Sequence, residues 1–534
     1  MTPKEFIHHS PGGTADTVDQ MLDAIAAVAT EAWVLQFGSS LSEVAVVKAG
    51  EDKFGVRRSK GAYVLKQLSP AGLARVFSRY LAITKEDGRR KGDDPRKVID
   101  IPRSLSEAFL SLPSFHPIPE IIGVVEAPML DPQGREYSTP GYHPEIKVLL
   151  VAETEIKPSK GVAGRARAVA GLKKLRKLLR GFLFKTEADE AAAIASILTA
   201  LNRKSMPSAP IFLITAPAAG TGKSKFVDVV SIIVVGRPAA VLAIGRDENE
   251  FTKRLTGVLA QGDPIITLDN ITREFGREDL LLQSLTQTTV LLRLLGGSGI
   301  MRAPTMTTFF ATGNNLRPVS DLKRRSCLVR MDAKVERPEH RVFDFDVLQE
   351  AAAQRDELIR AALDISKAYL ECGAPEVMVK DETGKESALK PAGSFETWDR
   401  MVRRPLVWCG MPDPLESAET LREMDPELEA TAMLVEAWHR VFQDCAVKAV
   451  DLIEASKQQL KGDDVKGADV KWVDRNSDLK EALEVICQDH VNARRLGNWL
   501  RKNRDFIVGG RRIVQAGKDS HANTILWKVE RLEG

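Results

Sequence analysis

Between about Ala209 and Arg330 the apolar residues fall in short continuous runs rather than in alternation. Ile211-Phe212-Leu213-Ile214, Val241-Leu242-Ala243-Ile244, Ile265-Ile266-Thr267-Leu268, Thr308-Phe309-Phe310-Ala311 and Cys327-Leu328-Val329-Arg330 each have the length of a strand, and stretches of helical period separate them. Strands apolar on both faces and joined by helices predict a mainly parallel sheet covered on both sides, an α/β core. Residues 1–155 mix helical and strand-like stretches with turn signals such as Gly12-Gly13 and Asp87-Gly88, and residues 113–144 are rich in proline and glycine. That pattern predicts an α+β accessory domain. After Glu336 the chain turns mostly helical.

Residues 461–471 are polar and read as a linker. Residues 476–534 read as two helices (478–490 and 492–503) and two strands (507–515 and 525–529), the strands joined by a polar loop at 516–523. This order suits a winged helix. The division is therefore 1–155, a basic helical collar at 156–205, the strand-rich core at 206–340, a helical lid region at 341–460, a linker at 461–475 and the winged unit at 476–534.

The collar carries unusual charge. Residues 157–185 hold ten Lys or Arg and no Asp or Glu, with Leu172, Leu175, Leu178, Leu179 and Leu183 at helical spacing. An amphipathic helix follows, and its cationic face fits either a solvated surface or a phosphate backbone. The whole chain is nearly balanced, with 76 basic and 73 acidic residues for a net charge of +3. That excludes a histone-like polycation and leaves local patches to decide partners. With 534 residues the chain has room for about three or four domains.

Its five cysteines are scattered, without zinc spacing, and fit a reducing, cytoplasmic setting. The N-terminus lacks an apolar signal core, no apolar run approaches the ~18 residues needed to span a bilayer, and no membrane partner is expected. His8-His9 reads as part of a polar tail rather than a metal site.

Candidate chemistry lies in Pro217-Ala-Ala-Gly-Thr-Gly-Lys-Ser224, between the first strand and a helix. Backbone N–H groups of such a loop and the helix N-terminus make an anion cradle, for which Ala219, Gly220, Thr221, Gly222, Lys223, Ser224 and Lys225 are the candidate residues. Lys223 would reach the β- and γ-phosphates of ATP, and the Ser224 hydroxyl would ligate Mg2+. Pro217 departs from the usual pattern, which has glycine there. Downstream, the strand at 265–268 leads into Asp269, placed to hold the magnesium shell. The strand at 308–311 leads to Asn314, placed to orient water. Arg324 and Arg325, at the end of a predicted helix, could serve as an arginine finger.

These segments resemble an AAA+ ATPase of the superfamily III helicase type, most closely the ATPase half of phage and mobile-element primase-helicases, relatives of the poxvirus-type enzymes. The resemblance rests on Thr221-Gly-Lys-Ser, Leu268-Asp-Asn-Ile, Ala311-Thr-Gly-Asn-Asn-Leu, Asp321-Leu-Lys-Arg-Arg-Ser, Glu336-Arg-Pro-Glu-His-Arg and Arg404-Pro-Leu-Val-Trp with Asp413-Pro414. Asp131-Pro-Gln-Gly and Pro140-Gly-Tyr resemble the region ahead of such ATPases. The likeness covers most of residues 110–534 and is most specific at 209–345.

It implies a hexameric ring that hydrolyses ATP with Mg2+, Arg324 or Arg325 as the finger, and DNA as partner, with a loader or a primase alongside. The direction it implies is 3′ to 5′. It also implies a DNA-gripping hairpin at Val290 to Arg302, which reads independently as strand, glycine turn, strand; Arg293, Arg302 and the tip at 296–299 are its candidate contacts. In the winged unit, Arg494, Arg495, Arg501, Lys502 and Arg504 lie on or near the second helix and Arg511 and Arg512 on the wing, as candidates for duplex DNA. Trp499 and Trp527 read as core.

One departure concerns Asn270, where many relatives have a second acid; Asp269 alone or an acid such as Glu274 would then serve, or hydrolysis would be slow. No primase motif is visible in residues 1–150. The function expected is an ATP-dependent DNA helicase or translocase in replication of a phage or mobile element. The alternatives are a DNA-bound ATPase switch or initiator that does not unwind, and a remodeller of protein.

Overall fold

The apolar runs form five strands, β1 (Ile211–Ala216), β2 (Ala240–Ala243), β3 (Ile265–Ile271), β4 (Thr308–Asn314) and β5 (Ser326–Arg330). They belong to a computed structural model that describes the chain apart from residues 1–3, 49, 52–55, 88–95, 153–155, 157–163, 245–246, 273, 294–298, 335–339, 341–343, 381–383, 424–425, 462–471, 475, 488–489, 520–523 and 533–534. The sheet order is β5-β1-β4-β3-β2, and every pairing among these five is parallel. Residues 211–214 of β1 are fully buried, as expected of a strand covered on both faces.

Helix α1 (Lys223–Val235) and the helix Glu187–Asn202 pack on this sheet within one large apolar core. The second is entered through a capping box, in which the Thr186 hydroxyl accepts the Asp189 N–H and Asp189 accepts the Thr186 N–H. Asp189 also meets Arg330 at the end of β5 at 2.9 Å, so a cap doubles as a tie between helix and sheet.

The N-terminal region reaches into the same sheet. Val56–Arg58 pairs antiparallel with β2, and Gly50–Glu51 lies beyond it. Arg58 forms a buried two-pronged pair with Asp263, at 2.8 and 2.6 Å. The strand Glu5–His8 pairs parallel with Leu81–Glu86, and His9 Nδ1 lies 3.0 Å from Thr17 Oγ1. The tail expected at His8-His9 is thus corrected: His8 ends an ordered strand and His9 follows it, because Ile7 enters the core beneath the helix Thr14–Ala32.

The collar helix spans Gly164–Leu179 and packs against the helix Arg355–Glu371. Leu172, Leu175, Leu178 and Leu179 are buried, whereas Leu183 lies past the helix end and is 40% exposed. Part of the basic stretch, residues 157–163, lies outside the described residues, as do most of Glu336 to Arg341 and residues 462–471 of the expected linker. Lys461 ends a strand, Gln459–Lys461, that pairs with Trp472–Asp474.

The chain separates into two units, Met1–Ala418 and Glu419–Gly534. The second has its own core, where Trp438, Leu452, Leu483, Leu496 and Trp527 meet. Its helices include Ser477–Cys487 and Ala493–Lys502, and its strands include those of a three-stranded sheet, Ile507–Val508, Arg511–Lys518 and Ile525–Arg531. The single strand expected at 507–515 is a hairpin instead. Gly509 and Gly510 both take positive φ, 56° and 71°, the backbone of a two-residue turn. Residues 520–523 of the expected polar loop lie outside the described residues.

Candidate nucleotide site

In a parallel sheet all strands end on the same edge, so loops distant in sequence meet there. Between β1 and α1, Gly220 and Gly222 take φ of 75° and 91°, a turn that L side chains resist. The turn aims the first-turn N–H groups of α1, which have no partner within the helix, back towards the loop. Thr221 is buried, and Ala219, Gly220, Ser224 and Lys225 are exposed.

Lys223 Nζ donates to Asn314 Oδ1 at 2.7 Å, to the Ala218 carbonyl at 3.1 Å and to Thr221 Oγ1 at 3.2 Å. Burial holds its ammonium below the ordinary lysine range, while the charge of Asp269 pulls it back up. Ser224 Oγ donates to Asp269 Oδ1 at 3.2 Å. The ends of β1, β3 and β4 therefore bring Lys223, Ser224, Asp269 and Asn314 together.

A hydroxyl and a carboxylate this close are hard oxygen donors of the kind Mg2+ takes, usually with one or two carboxylates and the rest from water and phosphate. Among the described residues, no group of three His, Cys, Asp or Glu could hold a metal alone. The residues present thus fit a magnesium ion that arrives with a nucleotide.

Two further side chains bear on Asp269, and the sequence reading gives neither a role. Thr312 Oγ1 donates to Asp269 Oδ1 at 2.5 Å and accepts the Asn270 N–H at 3.2 Å. Asp228, on α1, is pushed above the ordinary carboxyl value by burial; the Ala239 N–H opposes this and Asp269 adds to it. The sequence offers little signal for Thr312, one of two threonines in β4. Glu274 pairs with Arg277 at 3.5 Å.

Arg324 and Arg325 both pair with Asp321 on the 3-10 helix Ser320–Arg325, yet they differ in freedom. Arg325 also donates to the Leu282 carbonyl at 2.6 Å and to Thr286 Oγ1 at 2.9 Å. Its side chain is 15% exposed against 51% for Arg324. The structure anchors the second arginine and presents the first.

Val290 to Arg302 forms the expected hairpin, with Thr289–Arg293 antiparallel to Ile300–Pro304; residues 294–298 of its tip lie outside the described residues. Alternation buries Val290, Leu292, Met301 and Ala303 and leaves Leu291, Arg293, Ile300 and Arg302 exposed on the other face. The N-terminal region grips this hairpin. Ser39 N–H donates to the Arg302 carbonyl at 3.0 Å, and Ser39 Oγ accepts the Arg302 N–H at 2.9 Å. A Cβ at Gly38 would fall 1.7 Å from that carbonyl, so no other residue fits.

In the second unit, Arg494, Arg495, Arg501 and Lys502 are exposed on the helix Ala493–Lys502. Arg495 and Arg501 donate to the carbonyls of Cys487 and Gly497. Arg511 and Arg512 are half-buried, and Arg512 meets Glu530 at 3.2 Å. Trp527 is buried and Trp499 nearly so, both in the core.

No family model matches this chain, and no curated protein matches it. Among solved structures, the A-form apo structure of the NrS-1 C-terminal region is 13% identical, covers 88% of this chain and 100% of its own, and has a TM-score of 0.36. The X-ray structure of JCV helicase is 12% identical, covers 50% of this chain and 71% of its own, and has a TM-score of 0.19. TM-scores this low do not establish a shared fold.

Proposed function

We propose that this chain is a Mg·ATP-driven DNA translocase of the AAA+ superfamily III type, a replicative helicase of a phage or mobile element that works as a hexameric ring. The observation that carries the proposal is the convergence of Lys223, Ser224, Asp269 and Asn314 at one edge of the β5-β1-β4-β3-β2 sheet. Ser224 and Asp269 would hold Mg2+. The loop amides from Ala219 to Lys225, with the Lys223 ammonium, would hold the phosphates. When bound, the nucleotide supplies a phosphoanhydride whose hydrolysis drives movement. Asn314 orients the attacking water.

Arg324 is the finger offered to a neighbouring subunit, and Arg325 braces it. Arg293 and Arg302 follow one DNA strand through the ring, and the helix bearing Arg494, Arg495, Arg501 and Lys502, with Arg511 and Arg512, holds duplex. No described helix is long and apolar enough to cross a membrane, and all five cysteines are free, which suits a cytoplasmic setting.

The test is unwinding of a forked DNA duplex with ATP and Mg2+. Wild-type protein unwinds it, and Lys223→Ala neither hydrolyses ATP nor unwinds. Equal turnover in the two proteins would sink the site assignment. DNA-dependent hydrolysis without unwinding would favour the alternative, a DNA-bound switch or initiator.

A further inference from the structure

Position 270 follows the magnesium-site aspartate, where a second carboxylate would be placed to activate water. This chain has asparagine there, and the backbone gives a reason. Leu268 stands opposite Ala311 and Ile271 opposite Gly313, so β3 carries one residue more than β4 over this interval. Asn270 takes up the extra length in the left-handed region, at φ 54°. Asparagine enters that region more readily than any other L residues except a few such as aspartate, and glutamate does so poorly. A bulge of this kind re-aims the side chain beside it, here that of Asp269.

One hydroxyl ties both residues of the bulge. Thr312 Oγ1 gives its single proton to the Asp269 carboxylate and takes the Asn270 N–H on a lone pair. The residue is 2% exposed, so solvent cannot take over either bond. Its β-branched side chain on a strand has little rotamer freedom to lose. The same carboxylate oxygen accepts from Ser224 on α1, so three elements meet at Asp269 Oδ1.

We infer that Thr312 is a positioning residue of the nucleotide site, holding the Asp269 carboxylate towards Ser224 and fixing Asn270 in the bulge. Position 270 then serves backbone geometry rather than acid chemistry. The inference rests on the Mg·ATP reading and adds to it the residue that sets magnesium affinity.

Thr312→Val keeps the shape and removes the hydroxyl; Thr312→Ser restores it. The direct measurement is binding of a fluorescent ATP analogue to the full chain while Mg2+ is titrated, followed by kcat and KM for hydrolysis. Loss of such a supporting bond lowers metal affinity by about 10–100-fold, so Thr312→Val needs correspondingly more Mg2+ for half-maximal binding. Its binding in EDTA matches wild type, kcat falls at limiting Mg2+, and Thr312→Ser returns the wild-type curve. Thr312→Ala, which places no methyl group against the carboxylate, gives the same result and stands in if the valine variant does not fold.

Asn270→Gly, which keeps the left-handed backbone, titrates like wild type. A wild-type Mg2+ curve for Thr312→Val and Thr312→Ala, with only thermal stability changed, overturns the positioning role. Faster turnover in Asn270→Glu overturns the backbone role of position 270. Wild-type protein that binds no nucleotide at any Mg2+ concentration overturns the nucleotide reading itself.

Discussion

The helices Gly164–Leu179 and Ala493–Lys502 are alike in composition, each rich in arginine and lysine and each without an acidic residue. Their surroundings differ. Around the first, Arg167 meets Glu371, Lys174 meets Glu357 and Arg176 meets Glu190, and just past its end Arg180 meets Glu350. Around the second, Arg495 and Arg501 reach only backbone carbonyls. Among the described residues, no carboxylate pairs with Arg494, Arg495, Arg501 or Lys502. Equal charge density therefore means two things. Four cations of the collar, Arg167, Lys174, Arg176 and Arg180, are matched within the fold and help to dock helices, whereas Arg494, Arg495, Arg501 and Lys502 have no carboxylate partner among the described residues. A run of lysine and arginine points to nucleic acid only after the acids opposite it have been counted.

The largest effect should come from the unmatched set. Replacing Arg494, Arg501 and Lys502 together by Ala lowers duplex-DNA affinity by about 10–100-fold and reduces the salt slope by about 3, read by fluorescence anisotropy across a salt series. Unchanged affinity would remove the contrast. Next, replacing Arg167, Lys174 and Arg176 by Ala leaves the salt slope alone and lowers Tm by about 2–4 °C, since partly exposed ion pairs each contribute about 1 kcal/mol or less. A comparable loss of DNA binding would show that the collar contacts phosphate after all.

The smallest effect concerns a cation in a third situation. Lys204 is buried, and burial pushes its pKa from 10.5 to about 7, with Arg203 adding to the shift and Asp263 opposing it. Between about pH 7 and pH 10 the unfolded chain holds this proton and the folded chain does not, so stability rises with pH through that window and falls as pH drops. Lys204→Met removes the dependence. It raises Tm by about 2 °C at pH 7 and by much less at pH 10, as differential scanning fluorimetry would record.

Much of the core was legible because parallel strands buried on both faces must be apolar throughout, and the glycine spacing at 220 and 222 advertises the turn before α1. What the sequence hid was partnership across long separations. Nothing local to Arg176 or Lys174 reveals that Glu190 and Glu357 stand opposite them. Val56–Arg58 is too short to show a period, and tertiary pairing alone makes it a strand. Thr312 reads as one more β-branched residue until its hydroxyl is seen between Asp269 and Asn270. Gly509-Gly510 did carry a turn signal, masked by the strand-forming isoleucines and valines on either side.

The strand Val56–Arg58 also decides how this protein can be cut. Without it, β2 would be the bare margin of a buried parallel sheet, with unpaired N–H and C=O groups in a row, a template for joining other chains. Laid antiparallel along β2, Val56–Arg58 closes that margin and brings Arg57 and Arg58 to it, the first a charged outer residue and the second locked to Asp263. A fragment starting at residue 206 would keep every residue of the candidate nucleotide site and lose this guard. Such a fragment would self-associate edge to edge, so the smallest well-behaved piece of this chain that carries the candidate nucleotide site includes its N-terminal region.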